Sequence, residues 1–250
     1  MNSNNPSVEQ YFDDYAETGS WQSLYSNKVS KKNFNFIIRL NWYREVISTL
    51  LPKSVLDIGC GSGDFISIIP NSTELYRGVD LSEQMVVATQ KIIAQLPKDR
   101  QKHFLAEKSD IKNYQGKDNF DFVLASGFLE YFDDLQPVVN RLYELTAVNG
   151  YLAIQVPNRE FFRWKGISRV EEKNKGFKHH RISADECDAL MKAAGYEKIQ
   201  GDFINHFYYR FTSAFPRLHI VLDRVLRKVT PKALSCVRSS MYCGVYKRIG

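Results

Sequence analysis

Through the middle of the chain, short apolar runs rich in β-branched residues alternate with longer segments whose apolar residues recur every three or four positions. The first pattern predicts strands buried on both faces, the second helices that cover them. Val55 to Ile58 predicts a first strand, followed by a glycine loop and a helix beginning near Ser62. Glu74 to Val79 predicts the second strand, and Leu81-Ser82-Glu83 opens a helix running to about Ala94. His103 to Ala106 and Phe120 to Ala125 predict the third and fourth strands. A helix follows Pro137 to about Ala147, and Tyr151 to Val156 is the fifth strand. Ser183 is the expected N-cap of a helix stopped by Gly195, after which Tyr196 to Ile199 resumes strand. Strands spaced by helices imply an α/β fold with a parallel sheet and right-handed crossovers.

Two segments break the alternation. Residues 1–48 read as a helical, aromatic cap, with Tyr11, Phe12, Tyr15, Trp21, Tyr25, Trp42 and Tyr43. Residues 204–240 read as a helical insertion before a last apolar run, Met241 to Tyr246. The expected organisation is one domain over 1–250: a cap (1–48), a core (49–203), a lid-like insertion (204–240) and a final strand (241–250). The charged stretch from Pro157 to Arg181 is expected to be a long mobile loop.

The chain has 250 residues, 44% hydrophobic and 25% charged, which excludes disordered and coiled-coil classes. No apolar run reaches the roughly 18 residues of a membrane span. The opening residues are polar and acidic, so no secretory signal is expected. Cys60, Cys187, Cys236 and Cys243 share no ligand spacing, which points to a reducing, cytoplasmic setting without a metal site. The net charge of +6 is unevenly spread: residues 159–250 carry net +10 and residues 1–158 net −4. The basic surplus lies outside the core and comes with no nucleic-acid motif, so no nucleic-acid partner is expected.

The sharpest chemical signal is Val55-Leu56-Asp57-Ile58-Gly59-Cys60-Gly61-Ser62-Gly63-Asp64, a strand running through glycines toward a helix. Glycines admit positive φ and let a backbone approach a ligand with its N–H groups exposed. Asp64 stands where a dinucleotide-binding loop needs its third glycine, and no Gly-Lys-Ser/Thr follows, which excludes a P-loop. The spacing D-x-G-x-G-x-G resembles the first motif of class I S-adenosylmethionine-dependent methyltransferases. Gly78-Val79-Asp80-Leu81-Ser82 resembles their ribose-binding acid at the end of strand two, and Ser109-Asp110-Ile111 their adenine clamp. Phe120 to Tyr131 is similar to their fourth motif, and His180-Arg181-Ile182-Ser183 through Gly195-Tyr196 to a later loop and helix.

That resemblance covers roughly residues 50 to 205. It implies a Rossmann-like seven-stranded sheet with helices on both faces, whose last strand is antiparallel and lies between the fifth and sixth. It further implies S-adenosyl-L-methionine as cofactor and S-adenosyl-L-homocysteine as product. The cofactor contacts it implies are Asp57, Gly59, Cys60, Gly61, Gly63, Asp80, Leu81, Met85, Asp110, Ile111, Ser126, Gly127 and Tyr131. The N-terminal Tyr11-Phe12-Asp13-Asp14-Tyr15-Ala16 resembles the opening of small-molecule methyltransferases, including those of ubiquinone biosynthesis. That adds Tyr15 and a carboxylate-binding arginine, Arg39 or Arg44.

The implied reaction is methyl transfer to a small or lipid-like acceptor, with a hydroxyl oxygen the first choice. Such a hydroxyl needs a base, and His180 and His179 lie in the loop after strand five, with His180 matching the family's loop histidine. Glu130 and Tyr131 sit near the expected methyl, and His206 is a further candidate. Nitrogen or carbon methylation is the alternative within the fold, although the Asn-Pro-Pro-Tyr type tetrad of amino-group methylators is absent at Ala125-Ser126-Gly127-Phe128. A catalytically silent scaffold of the same fold is the alternative outside enzymes. Leu218, Val221, Leu222, Val225, Leu226 and Val229 form one apolar helical stripe beside Arg217, Arg224, Arg227 and Lys228. The stripe reads either as a lid over the acceptor pocket, spanning Phe207 to Cys236, or as a peripheral membrane contact.

Overall fold

The computed structural model describes residues 7–18, 21, 24, 28–116, 119–164, 170–172, 178–206 and 214–250. Tyr25, residues 165–169 and 173–177 of the charged loop, and residues 207–213 of the expected lid lie outside the described residues. Helices α1 (Val8–Glu17) and α2 (Phe34–Leu50) precede β1 (Ser54–Ile58). Then come β2 (Leu75–Asp80), α3 (Glu83–Ile93), a short α4 (Lys98–Gln101), β3 (Phe104–Lys108) and β4 (Phe120–Ser126). Helix α5 (Gln136–Leu145) leads into β5 (Thr146–Pro157), followed by the small pair β6 (Val170–Glu172) and β7 (Lys178–His180). The chain ends with α6 (Ala184–Ala193), β8 (Tyr196–His206), α7 (Pro216–Val229), α8 (Lys232–Arg238) and β9 (Ser239–Arg248).

The seven-stranded sheet has the order β3-β2-β1-β4-β5-β9-β8. β1 pairs in parallel with β2 and β4, β2 with β3, and β4 with β5. β9 runs antiparallel between β5 and β8, as the sequence resemblance implied. Strand order reverses between β1 and β4, and in open α/β sheets ligands bind beyond the strand ends at such a switch point.

Alternate strand residues feed two cores. Leu56, Ile58, Leu152, Ile154 and Val156 point to the face covered by α5 and α6, where Val138, Leu142 and Met191 pack. Val55, Phe122, Leu124 and Ala153 point to the opposite face, against Trp42, Tyr43, Ile47 and Val86. Burial on both faces explains the unbroken apolar runs in the sequence.

The structure departs from the sequence reading in four places. The element after the glycine loop is a five-residue 3-10 turn, Asp64–Ile68, rather than an α-helix, and Pro70 follows it two residues later. β8 extends seven residues past Ile199 to His206. Among the described residues it is an edge strand paired only with β9, so its outward charged residues and Gly201 hid it from a periodicity reading. The 204–240 insertion therefore starts in strand. The charged loop also holds the β6–β7 pair and a bridge between Asn158 and Ile182.

Candidate cofactor and acceptor site

The glycine loop leaves β1 at the switch point. The Gly59 and Cys60 N–H groups both donate to the Val79 carbonyl, at 2.8 and 3.1 Å. The Gly61 N–H donates to Asp80 Oδ2 and the Ser82 N–H to Asp80 Oδ1, each at 2.9 Å. The Thr89 hydroxyl, on α3, donates to the Gly61 carbonyl at 2.7 Å. One carboxylate therefore holds the loop after β1 and the start of α3, and burial pushes its pKa up. Each carboxylate oxygen still has a second acceptor site. Gly61 has φ +54°, and a Cβ there would sit 3.2 Å from Trp21 Nε1, so only glycine leaves the space open.

A cavity of about 470 Å³ lies over this loop, within the size range of small-molecule sites. Its floor contains Gly59, Cys60, Gly61, Asp80 and Leu81, and one side contains Asp110 and Ile111. The end of β4 contributes Ser126, Gly127 and Tyr131, and the roof Tyr15 and Arg39. These residues come from separate stretches of sequence and are brought together at one site. Asp110 closes an Asx turn, its Oδ1 accepting from the Lys112 N–H at 2.9 Å. Arg39 Nη1 lies 3.2 Å from where a Cβ of Gly127 would stand, and Gly127 has φ +65°.

Asp57, Gly63 and Met85 stand behind the cavity wall. Asp57 is fully buried and accepts from the Tyr76 hydroxyl at 2.9 Å, and burial pushes its carboxyl up to about 7. Gly63 (φ +78°) packs against Thr89, and Met85 is core. Arg44 is exposed and bonded to Asn41, away from the cavity.

The roof is aromatic. Phe12 of α1 meets Tyr131 edge-on at 5.7 Å and Trp21 at 5.6 Å, and Trp21 meets Phe36 at 6.0 Å. α1 buries none of its residues fully. It is tied down by Asp13, which accepts from the Ser82 hydroxyl at 2.5 Å and the Gln84 N–H at 3.1 Å, and by a Lys108–Glu9 ion pair at 2.7 Å.

Of the two histidines, His179 lines the cavity. Its Nε2 lies 3.8 Å from Oε1 of the buried Glu130, and its ring meets Tyr131 at 5.6 Å. His180 Nε2 pairs instead with Asp133 at 3.0 Å, outside the wall. His206 is fully buried in a separate network: its N–H and Nδ1 reach Asp223 Oδ1 at 2.7 and 2.9 Å, and its Nε2 lies 3.2 Å from Ser235 Oγ. That excludes His206 from this cavity.

The described part of the expected lid, residues 214–238, contributes nothing to the cavity wall. α7 packs on α2 and β8, with Arg224 Nε 2.9 Å from Glu45 Oε1 and a second ion pair between Arg227 and Glu45. Its inner side holds His219, Asp223 and Arg227 beside the half-buried Ile220 and Leu226, and its exposed Leu218, Val221, Val225 and Val229 form no part of the cavity wall.

The sequence reading gave no site role to Trp21, Asp64, Phe128 and Arg181, all in the cavity wall. Burial pushes the Asp64 carboxyl up to about 6, although the Ser62 hydroxyl donates to it at 2.7 Å. Arg181 is buried beside the acceptor-side residues. Its one sequence signal was adjacency to the two histidines.

The family described as "Methyltransferase domain" matches residues 56–152. Trans-aconitate 2-methyltransferase of Variovorax paradoxus is 34% identical over 116 residues, 44% of this chain and 42% of that protein. A ubiquinone biosynthesis O-methyltransferase of Pseudomonas putida is 26% identical over 122 residues, 49% of this chain and 51% of that protein. The chain thus spans about half the length, or less, of these curated relatives. The structure of magnesium protoporphyrin IX methyltransferase from Synechocystis PCC 6803 with bound SAH superposes with a TM-score of 0.66 at 14% identity, covering 96% of this chain and 98% of that one. Residues 56–152 thus match the family described as "Methyltransferase domain", and the seven-stranded fold described above is that of a solved methyltransferase structure.

Proposed function

We propose that the chain transfers the methyl group of S-adenosyl-L-methionine to an oxygen of a small or lipid-like acceptor. The observation that carries this reading is one cavity that joins the Gly59–Gly61 loop, Asp80 and Asp110 to His179, Glu130 and Arg181. The donor set suits the cofactor. Asp80 lines the cavity and suits a ribose diol, Asp110 and the Ile111 N–H suit an adenine edge, and Arg39 suits a carboxylate. When bound, the cofactor supplies an activated methyl on a sulfonium centre.

The chain then has to align, desolvate and remove a proton. Alignment of reacting groups contributes roughly 7–11 kcal/mol in well-oriented systems. Phe36, Phe128, Tyr131 and Phe132 offer an aromatic wall for the body of the acceptor and exclude water. His179 is the base, taking the acceptor proton on its ring, with Glu130 to orient it and stabilise the imidazolium. The O-methyltransferase among the relatives supports oxygen as the atom methylated.

The first test is a thermal shift with S-adenosyl-L-homocysteine, which should add about 2.7 kcal/mol of stability at a hundred times its dissociation constant. A second is turnover on a panel of carboxylic acids, phenols and amines. No shift with S-adenosyl-L-homocysteine would favour the silent scaffold; turnover on amines alone would move the acceptor atom to nitrogen.

A further inference from the structure

Helix α7 turns most of its aliphatic side chains outward, although Ile220 packs on the core. Its two fully buried residues are polar, His219 and Asp223, whereas Val221 is 60%, Val225 52% and Val229 68% exposed. At 100° per residue, Leu218, Val221, Val225 and Val229 fall on one outward stripe about opposite to Asp223, with the half-buried Leu222 at its flank; Leu226, expected in the stripe, is half-buried on the inner side instead. The next helix continues the pattern, with Leu234 and Val237 exposed on α8. Arg217, Arg224 and Lys228 form a row along one edge of the stripe, and Lys232 and Arg238 add exposed cations on α8. The single acidic residue of segment 214–238, Asp223, is buried against His206.

The orientation is fixed from the inside. Asp223 accepts from the His206 N–H and ring, and Arg227 pairs with Glu45 of α2, so the helix cannot roll its aliphatic stripe onto the sheet without breaking both. A contiguous aliphatic surface turned to water by buried polar anchors is a recognition surface rather than misplaced core.

We propose that α7 and α8 dock this chain, in the plane of the interface, on a membrane leaflet containing anionic phospholipid. The aliphatic stripe would enter the acyl boundary while Arg217, Lys228, Lys232 and Arg238 meet lipid phosphates, with Arg224 shared with Glu45; this is the arrangement of interfacial amphipathic helices. Charge selects this occupant. A second copy docking by the same patch would bring like-charged rows together, and a nucleic acid would engage the cations but leave the Leu and Val stripe in water. Among the described residues no helix is long and apolar enough to cross a membrane, so the contact is peripheral. The proposal stands on this surface alone and does not depend on the acceptor of the methyl group.

Vesicle flotation tests it, using phosphatidylcholine vesicles and vesicles of equal parts phosphatidylcholine and phosphatidylglycerol. The wild-type chain should float with the mixed vesicles at low salt, and roughly tenfold less with phosphatidylcholine alone or in about 1 M salt. Val221→Asp with Val225→Asp, both outward, should lose flotation by more than roughly tenfold with the thermal midpoint unchanged. Arg217→Glu with Lys228→Glu should lose a similar factor at low salt. Absence of wild-type flotation, flotation that ignores lipid charge and salt, or aspartate variants that bind like wild type would overturn the proposal. So would a dimer in solution that the aspartates dissolve while vesicles are ignored, which would assign the surface to a second copy.

Discussion

The backbone N–H of Gly61 donates to Oδ2 of Asp80 across 2.9 Å, tying the glycine loop after β1 to the carboxylate that ends β2. With Ser82 on the other oxygen, Asp80 both shapes the cavity floor and forms part of its surface. Its substitution therefore acts on stability and on binding at once.

Asp80→Ala should lower stability by about 1.5–3 kcal/mol for each charge-assisted backbone bond lost. It should also weaken S-adenosyl-L-homocysteine binding by more than roughly tenfold through the missing ribose acceptor. Calorimetry with thermal melts separates the two effects. Unchanged affinity in a folded Asp80→Ala chain would remove the carboxylate from the ligand site.

His179 and His180 make a paired test. His179→Ala should reduce turnover roughly 10²–10⁴-fold, the range for loss of a general base, with S-adenosyl-L-homocysteine affinity retained. His180→Ala, whose ring pairs with Asp133 outside the wall, should turn over near the wild-type rate. Loss on the His180 side alone would return the role to the residue matching the family's loop.

Asp57 predicts a pH dependence of stability. Its carboxyl is raised by burial from 3.8 to about 7, so the folded chain holds a proton that the unfolded chain has released between those values. Its contribution is full below about pH 4 and is lost as pH rises through about 7. Asp64, raised to about 6, acts in the same direction. Asp57→Asn should leave stability at low pH nearly unchanged and raise it at pH 8 relative to wild type. Melting curves across this range check the sign: an Asp57→Asn chain with the wild-type pH slope would refute it.

The His206–Asp223 link predicts a purely structural defect. Asp223→Ala leaves the buried His206 N–H and ring without their acceptor, at about 2–4 kcal/mol. The thermal midpoint should fall by several degrees while affinity for S-adenosyl-L-homocysteine stays near wild type. A matching loss of affinity would mean that α7 communicates with the cavity.

Much of the frame was legible from local pattern. Most strand runs, the helix opening at Leu81-Ser82-Glu83, the N-cap at Ser183 and the stop at Gly195 appear where expected, because periodicity, capping and positive φ act within a few residues. The glycine loop and Asp80 were legible for the same reason: each follows a strand end, and parallel strands carry those ends to one edge of the sheet.

The choice between neighbouring side chains was not legible. His179 and His180 are consecutive residues of one strand, and successive strand residues point to opposite faces, so only the placement of β7 decides which enters the cavity. Arg181 becomes a wall residue through its surroundings, and Asp57 and Met85 fall behind the wall because their side chains are buried in the core, Asp57 against the Tyr76 hydroxyl. The stripe on α7 was plain in the sequence, but its direction was not. Periodicity fixes which residues share a helix face and leaves open which way that face turns. Here a long-range partner settled it: Asp223 is buried on His206 of β8, and that polar anchor turns the apolar side toward solvent.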